Sequence, residues 1–242
     1  MGSDAAETHV GGDFLLAQTS PSALLGVMQA EAKIRFGRQP FNGYSHLIGA
    51  LAALVAGGFL LAREVETPWL WHAKAFYAFA LFAALMSSAV FHLVDGPERV
   101  MDRLRKIDHW GIRALTIGTY SPLAFKMLPV SWAVGGLAGL WLIALVESFI
   151  CAPLQWPSRR SRTAISHILI ALLPMLVVPF VWQEHGRLLL WLAAGAAVYL
   201  VGGICFLKKI PRGNKVLNFH ETWHVCVLIA ASIHYALIYS LI

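Results

Sequence analysis

FHETWHVCVLIAASIHY (219–235) decides the fold. It opens on an HExxH motif, and from Val225 to the C-terminus no residue carries a formal charge. An apolar stretch of about 20 residues is long enough to cross a bilayer as a helix. Two histidines four residues apart lie about 40° apart around a helix and one turn along, so His220 and His224 can hold one metal ion. In soluble proteins the motif suggests a zinc protease with the Glu as general base. Inside a membrane that chemistry is a poor match, because protein substrates rarely enter the hydrocarbon layer. The five letters alone are a weak signal.

The rest of the chain extends the membrane reading. It is 58% hydrophobic and 13% charged, against about 25% charged in a soluble domain. Charge is cleared from long blocks and concentrated in short connectors. Seven blocks reach bilayer length, at 43–62, 72–94, 108–128, 131–151, 163–182, 187–207 and 219–241. The expected fold is therefore all-α: a seven-transmembrane helix bundle over residues 41–242. Residues 1–40 form a separate tail, in which 22–38 carries the pattern of an amphipathic surface helix, with a partly ordered tail as the alternative. The N-terminal MGSDAAETHVGGD is acidic and polar and does not read as a cleavable signal peptide. Cys151, Cys205 and Cys226 lie in or beside apolar blocks and are expected to pack rather than pair.

Basic residues orient the bundle. With the N-terminus inside, cytoplasmic segments carry 14 Lys and Arg and the opposite side carries 4, namely Arg63, Lys74, Lys126 and Arg187. That bias over short loops sets a cytoplasmic N-terminus and, after seven spans, an extracytoplasmic C-terminus. It also accounts for the net charge of +6 through anionic lipid headgroups, with no nucleic-acid partner. The chain reads as an integral, multi-pass membrane protein, with membrane lipids as its partners and its oligomeric state open.

Ionisable residues inside spans are costly and mark function by default. The orientation puts Ser88 and His92 near the cytoplasmic end of the second span, Asp108 at the start of the third, and His220 and His224 at the start of the seventh. Three histidines, a carboxylate and a hydroxyl thus fall at one depth. Ser88 and His92 are one turn apart, about 6 Å along the axis. Three neutral imidazoles with an open fourth position form a catalytic-type zinc site, in which a bound water is a far better acid. Asp108 is placed to act as general base or to orient a histidine, and Ser88 to position the water or a carbonyl. Glu221 points about 100° away from His220, toward Arg113 or the headgroups. His46, His167 and His234 are expected to be interhelical packing residues.

The strings FNGYSHLIGAL (41–51), SSAVFH (87–92), KIDHWGIRALTIGTYSP (106–122) and FHETWHVCVLIAASIHY (219–235) resemble the hemolysin III branch of the progestin and adipoQ receptor (PAQR) family. The resemblance implies a seven-helix bundle with its N-terminus inside and Zn2+ held by three histidines near the cytoplasmic leaflet. Carried over residue by residue, it assigns His92, His220 and His224 as zinc ligands and Ser88 and Asp108 as their companions. It also implies kinship with alkaline ceramidases and a link to membrane lipid homeostasis. Two functions follow as expectations. One is a zinc-dependent intramembrane hydrolase that cleaves a lipid amide or ester bound in a bundle cavity. The other is a non-enzymatic sensor or receptor in which zinc is a structural staple. A transporter or pore is the weakest reading, since the polar residues cluster at one depth instead of lining a path.

Overall fold

Proline and short polar segments punctuate the apolar runs, and the helices begin at that punctuation. In the computed structural model, which describes residues 34–151, 167, 170, 171, 178–213 and 218–242, helix α1 spans Pro40–Leu61 and α2 spans Pro68–Leu93. Both place proline in the first turn, where its missing N–H costs nothing. The Thr67 hydroxyl caps α2 by accepting from Leu70 N at 3.3 Å. Helix α3 (Glu98–Met127) follows Pro97 and α4 (Val130–Val146) follows Pro129; α4 runs on into a π-helical turn, Glu147–Cys151. Helix α5 spans Val178–Lys208 and α6 spans Phe219–Leu241. Two short strands, β1 (Arg35–Phe36) and β2 (Val94–Asp95), pair antiparallel, with Arg35 opposite Asp95 and Phe36 opposite Val94.

Five of these segments are long and apolar enough to cross a membrane: α1, α2, Val130–Phe149, His185–Lys208 and α6. Their outward faces agree. On α1, Ile48, Leu51, Val55 and Phe59 are all more than half exposed, an apolar surface that a water-soluble protein rarely presents. The protein is an integral, multi-pass membrane protein. Trp69 and Trp71 at the start of α2 and Trp132 at the start of α4 are also exposed, as expected of aromatic anchors at one membrane boundary.

Helix α3 differs from expectation at its start. It begins ten residues before the apolar block that announced it, and at 30 residues it is about 45 Å long. The added turns carry Glu98, Arg99, Asp102, Arg103, Arg105 and Lys106. A helix has no reason to stop where hydrocarbon ends, and the Asp102–Arg105 pair at 2.8 Å supports the charged turn. Other boundaries also move. The gap between the fifth and sixth blocks shrinks to one non-helical residue, His185 (φ −126°, ψ 16°), within α5. Most of the fifth block, 163–182, lies outside the described residues, as does 1–33. The described end of the 22–38 segment is extended, not helical, because its backbone pairs with β2. Lys74, counted from sequence among the connectors, is fully buried in α2. Its ammonium closes the end of α1 by donating to the carbonyls of Leu61, at 3.2 Å, and Arg63.

The core is built where backbones approach closely. A Cβ on Gly111 of α3 would sit 2.9 Å from Ala84 Cα and 2.8 Å from Ser87 Oγ of α2. Glycine is therefore what lets α3 touch α2 one turn from Asp108. Buried Ala50, Ala53, Tyr77, Leu81, Ala84, Leu85 and Ala231 fill the space between α1, α2 and α6.

Candidate metal centre

Every helix leaves its last carbonyls without intrahelical partners, and α2 ends in the apolar part of the bundle. The chain just before α1 supplies what is missing. Gly37, held at φ 96°, donates its N–H to Leu93 O at 2.7 Å. Gln39 N donates to His92 O at 2.9 Å, and the Arg38 guanidinium donates to Phe91 O at 2.5 Å and Val94 O at 3.1 Å. The turn that carries His92 is thus fixed from outside the helix.

Helix α6 is fixed by its own first residues. The Asn218 side chain accepts from His220 N at 2.8 Å, and the Glu221 carboxylate accepts from Asn218 N at 3.0 Å. This is a capping box. It starts the helix at Phe219, which puts His220 in the first turn and His224 in the second.

These two supports bring the three histidines together. The His92 ring lies 5.1 Å from His220 and 4.5 Å from His224, centroid to centroid, and His220 lies 5.1 Å from His224. One nitrogen from each ring falls within 4.8 Å of the others. Among the described residues this is the group of His, Cys, Asp or Glu that can hold a metal ion. A zinc–imidazole bond of about 2.0–2.1 Å puts neighbouring nitrogens of a tetrahedron about 3.4 Å apart. The cluster meets that spacing with shifts of about 1 Å or less per ring. The donor set, three imidazoles of which two are buried, suits a borderline-soft divalent ion such as zinc.

Ser88 and Asp108 are both buried. Ser88 is one turn from His92 on α2, and its hydroxyl faces the Asp108 carboxylate. Neighbouring Ser87 spends its hydroxyl on Ala84 O at 3.1 Å. Asp108 is not within the three-histidine group itself. Its place is against Ser88, on the α3 face that Gly111 brings close.

Glu221 faces neither Arg113 nor an open surface. One carboxylate oxygen completes the capping box and the other accepts from Asn42 Nδ2 at 3.2 Å. Arg113 instead forms a buried ion pair with Glu147 and stacks over Trp110. His234 meets Leu192 O at 3.1 Å, as a packing histidine should. His167 lies beside His109, with ring centroids 6.2 Å apart. His46 also makes an interhelical contact, but its partner belongs to the histidine group: its Nε2 is 2.9 Å from His224 Nδ1. Gln39 Oε1 is 2.5 Å from His92 Nδ1. Three α1-side residues, Gln39, Asn42 and His46, therefore contact the site, and the sequence reading had assigned none of them to it. Their spacing of three and four put them on one helix face, a signal available in the QPFNGYSH string (39–46) but pointing at no partner.

A profile described as Haemolysin-III related matches residues 34–235. The chain belongs to this family. A Hemolysin-3 homolog of Bacillus subtilis (strain 168) is 28% identical over 201 residues, covering 77% of this chain and 86% of the relative. The human Monocyte to macrophage differentiation factor is 26% identical over 209 residues, covering 82% of each. Heptahelical transmembrane protein 1 of Arabidopsis thaliana is 26% identical over 229 residues, covering 83% of this chain and 68% of the relative. The match begins at Ile34, so the haemolysin-III-related region of this protein takes in the strap that precedes α1.

Proposed function

We propose that this haemolysin-III-related protein is a zinc-dependent hydrolase of lipid amides or esters, acting within the membrane in lipid homeostasis. The observation that carries the reading is the convergence of three histidine nitrogens within 4.8 Å, with buried Ser88 one turn from His92 and a buried carboxylate at Asp108. Zinc, when bound, supplies a Lewis acid that acidifies water and polarises a carbonyl. His92, His220 and His224 would hold it. Asp108 takes the proton that water gives up and returns it to the departing nitrogen or oxygen as the acyl bond breaks. Ser88 donates its one hydrogen to the Asp108 carboxylate until Asp108 has taken the proton, and then to the acyl oxygen. Burial of both residues limits access by bulk water, which favours a scissile bond carried in by a lipid.

The same reading includes seven spans, with 163–182 as the fifth, a cytoplasmic N-terminus and a bacterial inner membrane. The printed name of the Arabidopsis relative, heptahelical, and the 14 to 4 basic bias support it. Cysteines placed in the charged start of α3 should then be labelled only from the cytoplasmic side.

One observation favours a second reading, a non-enzymatic sensor. Helix α6 packs on α5 and α1 more than on α2, so a metal would staple together helices that otherwise share little contact.

Liposomes containing the protein and a panel of lipid amides and esters separate the two. The enzyme reading expects fatty acid release that His220→Ala abolishes. It also expects Asp108→Asn to reduce release by about 100-fold or more, in line with general base catalysis, with zinc content unchanged. Stoichiometric zinc with no release from any lipid in the panel would leave the staple.

A further inference from the structure

We propose that α1 and the residue before it set the metal centre's donor atoms: His46 positions His224, and Gln39 positions His92, each by engaging Nδ1 so that Nε2 is left for the metal. The inference rests on the reading of the three histidines as a metal site and concerns residues outside that set.

A neutral imidazole has one N–H and one lone pair, and the partner of one nitrogen decides the role of the other. Gln39 Oε1, 2.5 Å from His92 Nδ1, is an acceptor, so Nδ1 carries the hydrogen and Nε2 the lone pair. At His224 the Nδ1 contact is His46 Nε2, at 2.9 Å. If His224 gives its Nε2 lone pair to a metal, its Nδ1–H donates and His46 Nε2 accepts. His46 must then carry its own hydrogen on Nδ1.

The state of that Nδ1 argues against a plain packing role. It is buried without a hydrogen-bond partner among the described residues, as is Asn42 Oδ1 one turn earlier. An unmet buried polar atom costs about 1–3 kcal/mol. A leucine at position 46 would avoid that cost and fill similar space, so stability alone does not account for histidine there. What histidine adds is an acceptor at the reach of Nε2, aimed at a ring in the centre. Residues behind metal-bound histidines typically change affinity by about 10–100-fold when removed.

The spacing of the two residues also fits the task. Gln39 and His46 are seven residues apart, about 10 Å along α1, and they reach ligands on two different helices. Gly43, between them, is the point where a Cβ would collide with the Leu93 side chain at 2.4 Å, so α1 lies against the end of α2 at this level.

The test is zinc affinity of the full-length protein in detergent, by competition with a chromophoric chelator, and the visible spectrum of its cobalt-substituted form. His46→Gln restores an acceptor at the reach of Nε2, whereas His46→Asn is equally polar but too short. We expect His46→Gln to bind zinc within about threefold of the native protein. His46→Asn and Gln39→Leu should bind about 10–100-fold more weakly, with shifted cobalt bands. Gln39→Glu, which keeps the oxygen, should bind like the native protein. Metal-free melting temperatures of His46→Gln and His46→Asn should agree. Native protein that binds zinc while His46→Asn and Gln39→Leu bind equally well overturns the inference and leaves the metal site standing. Native protein that binds no zinc overturns the site itself.

Discussion

Asn42 of α1 donates its side-chain N–H to Glu221 of α6 at 3.2 Å, joining positions 179 residues apart in the chain. The carboxylate that would be the general base in a soluble HExxH enzyme is therefore occupied on both oxygens, by Asn42 and by the backbone N–H of Asn218. Its work is to start a helix and tie that start to α1.

Glu221→Gln should accordingly keep any lipid hydrolysis within about threefold of the native rate, since glutamine also closes a capping box. Glu221→Ala should lower stability by about 0.5–2 kcal/mol, the usual cost of losing a cap. Paired turnover and thermal unfolding measurements in detergent check both. A Glu221→Gln protein that keeps its zinc but loses all turnover would make Glu221 the base.

Zinc should stabilise the folded protein in proportion to its occupancy, by about 2.7 kcal/mol at a hundredfold excess over Kd. Adding a chelator should lower the melting temperature of the native protein and leave His92→Ala unchanged. Calorimetry across a zinc titration gives the readout. A melting temperature indifferent to zinc in the native chain would contradict a resident metal.

Gly111→Ala should cost about 1–3 kcal/mol as an overpacked contact, because the new methyl meets the backbone of Ala84 at 2.9 Å. It should also reduce turnover, by moving Asp108 away from Ser88. Gly135→Ala is the control, since a Cβ there meets nothing within 4 Å, and should be neutral or stabilising by up to about 1 kcal/mol.

The Arg113–Glu147 pair predicts a strongly non-additive cycle. Glu147→Leu alone should destabilise by about 3–5 kcal/mol, because it leaves the buried Arg113 charge without its partner, and Arg113→Leu should cost less, since Glu147 is partly exposed. The double substitution should come close to the native stability. Unfolding of the four proteins in the same detergent measures the coupling; two additive losses would mean that the pair is not isolated from other charges.

Hydropathy located the five segments that are long and apolar enough to cross a membrane, because bilayer thickness fixes how long an apolar run must be. The bounds of α6 were legible to the residue, since Asn218 and Glu221 mark its start in the letters themselves. The ten residues of α3 ahead of its apolar block, six of them charged, were not legible, because hydropathy reports the solvent around a helix and not its hydrogen bonds. Within the site, the motifs named His92, His220 and His224, and helical periodicity explains their shared face in part. The contacts of Gln39, Asn42 and His46 were hidden for a different reason. Each depends on how α1 lies across α2 and α6, and nothing local to FNGYSH states that angle. His46 in particular looks in sequence like any histidine that helps helices pack.

Order of synthesis gives the strap before α1 a further consequence. Gln39, His46 and His92 are all made early, and the first two helices can settle against each other as soon as both have left the ribosome. His220 follows His92 by 128 positions, about 6–26 s later at ordinary elongation rates of about 5–20 residues per second. Throughout that interval His92 sits in an apolar layer with Gln39 as its companion and no metal partners yet made. The centre comes into being only when α6 inserts, so metal loading would report that the chain has been made and threaded as far as that helix, and a chain stalled before α6 would stay empty.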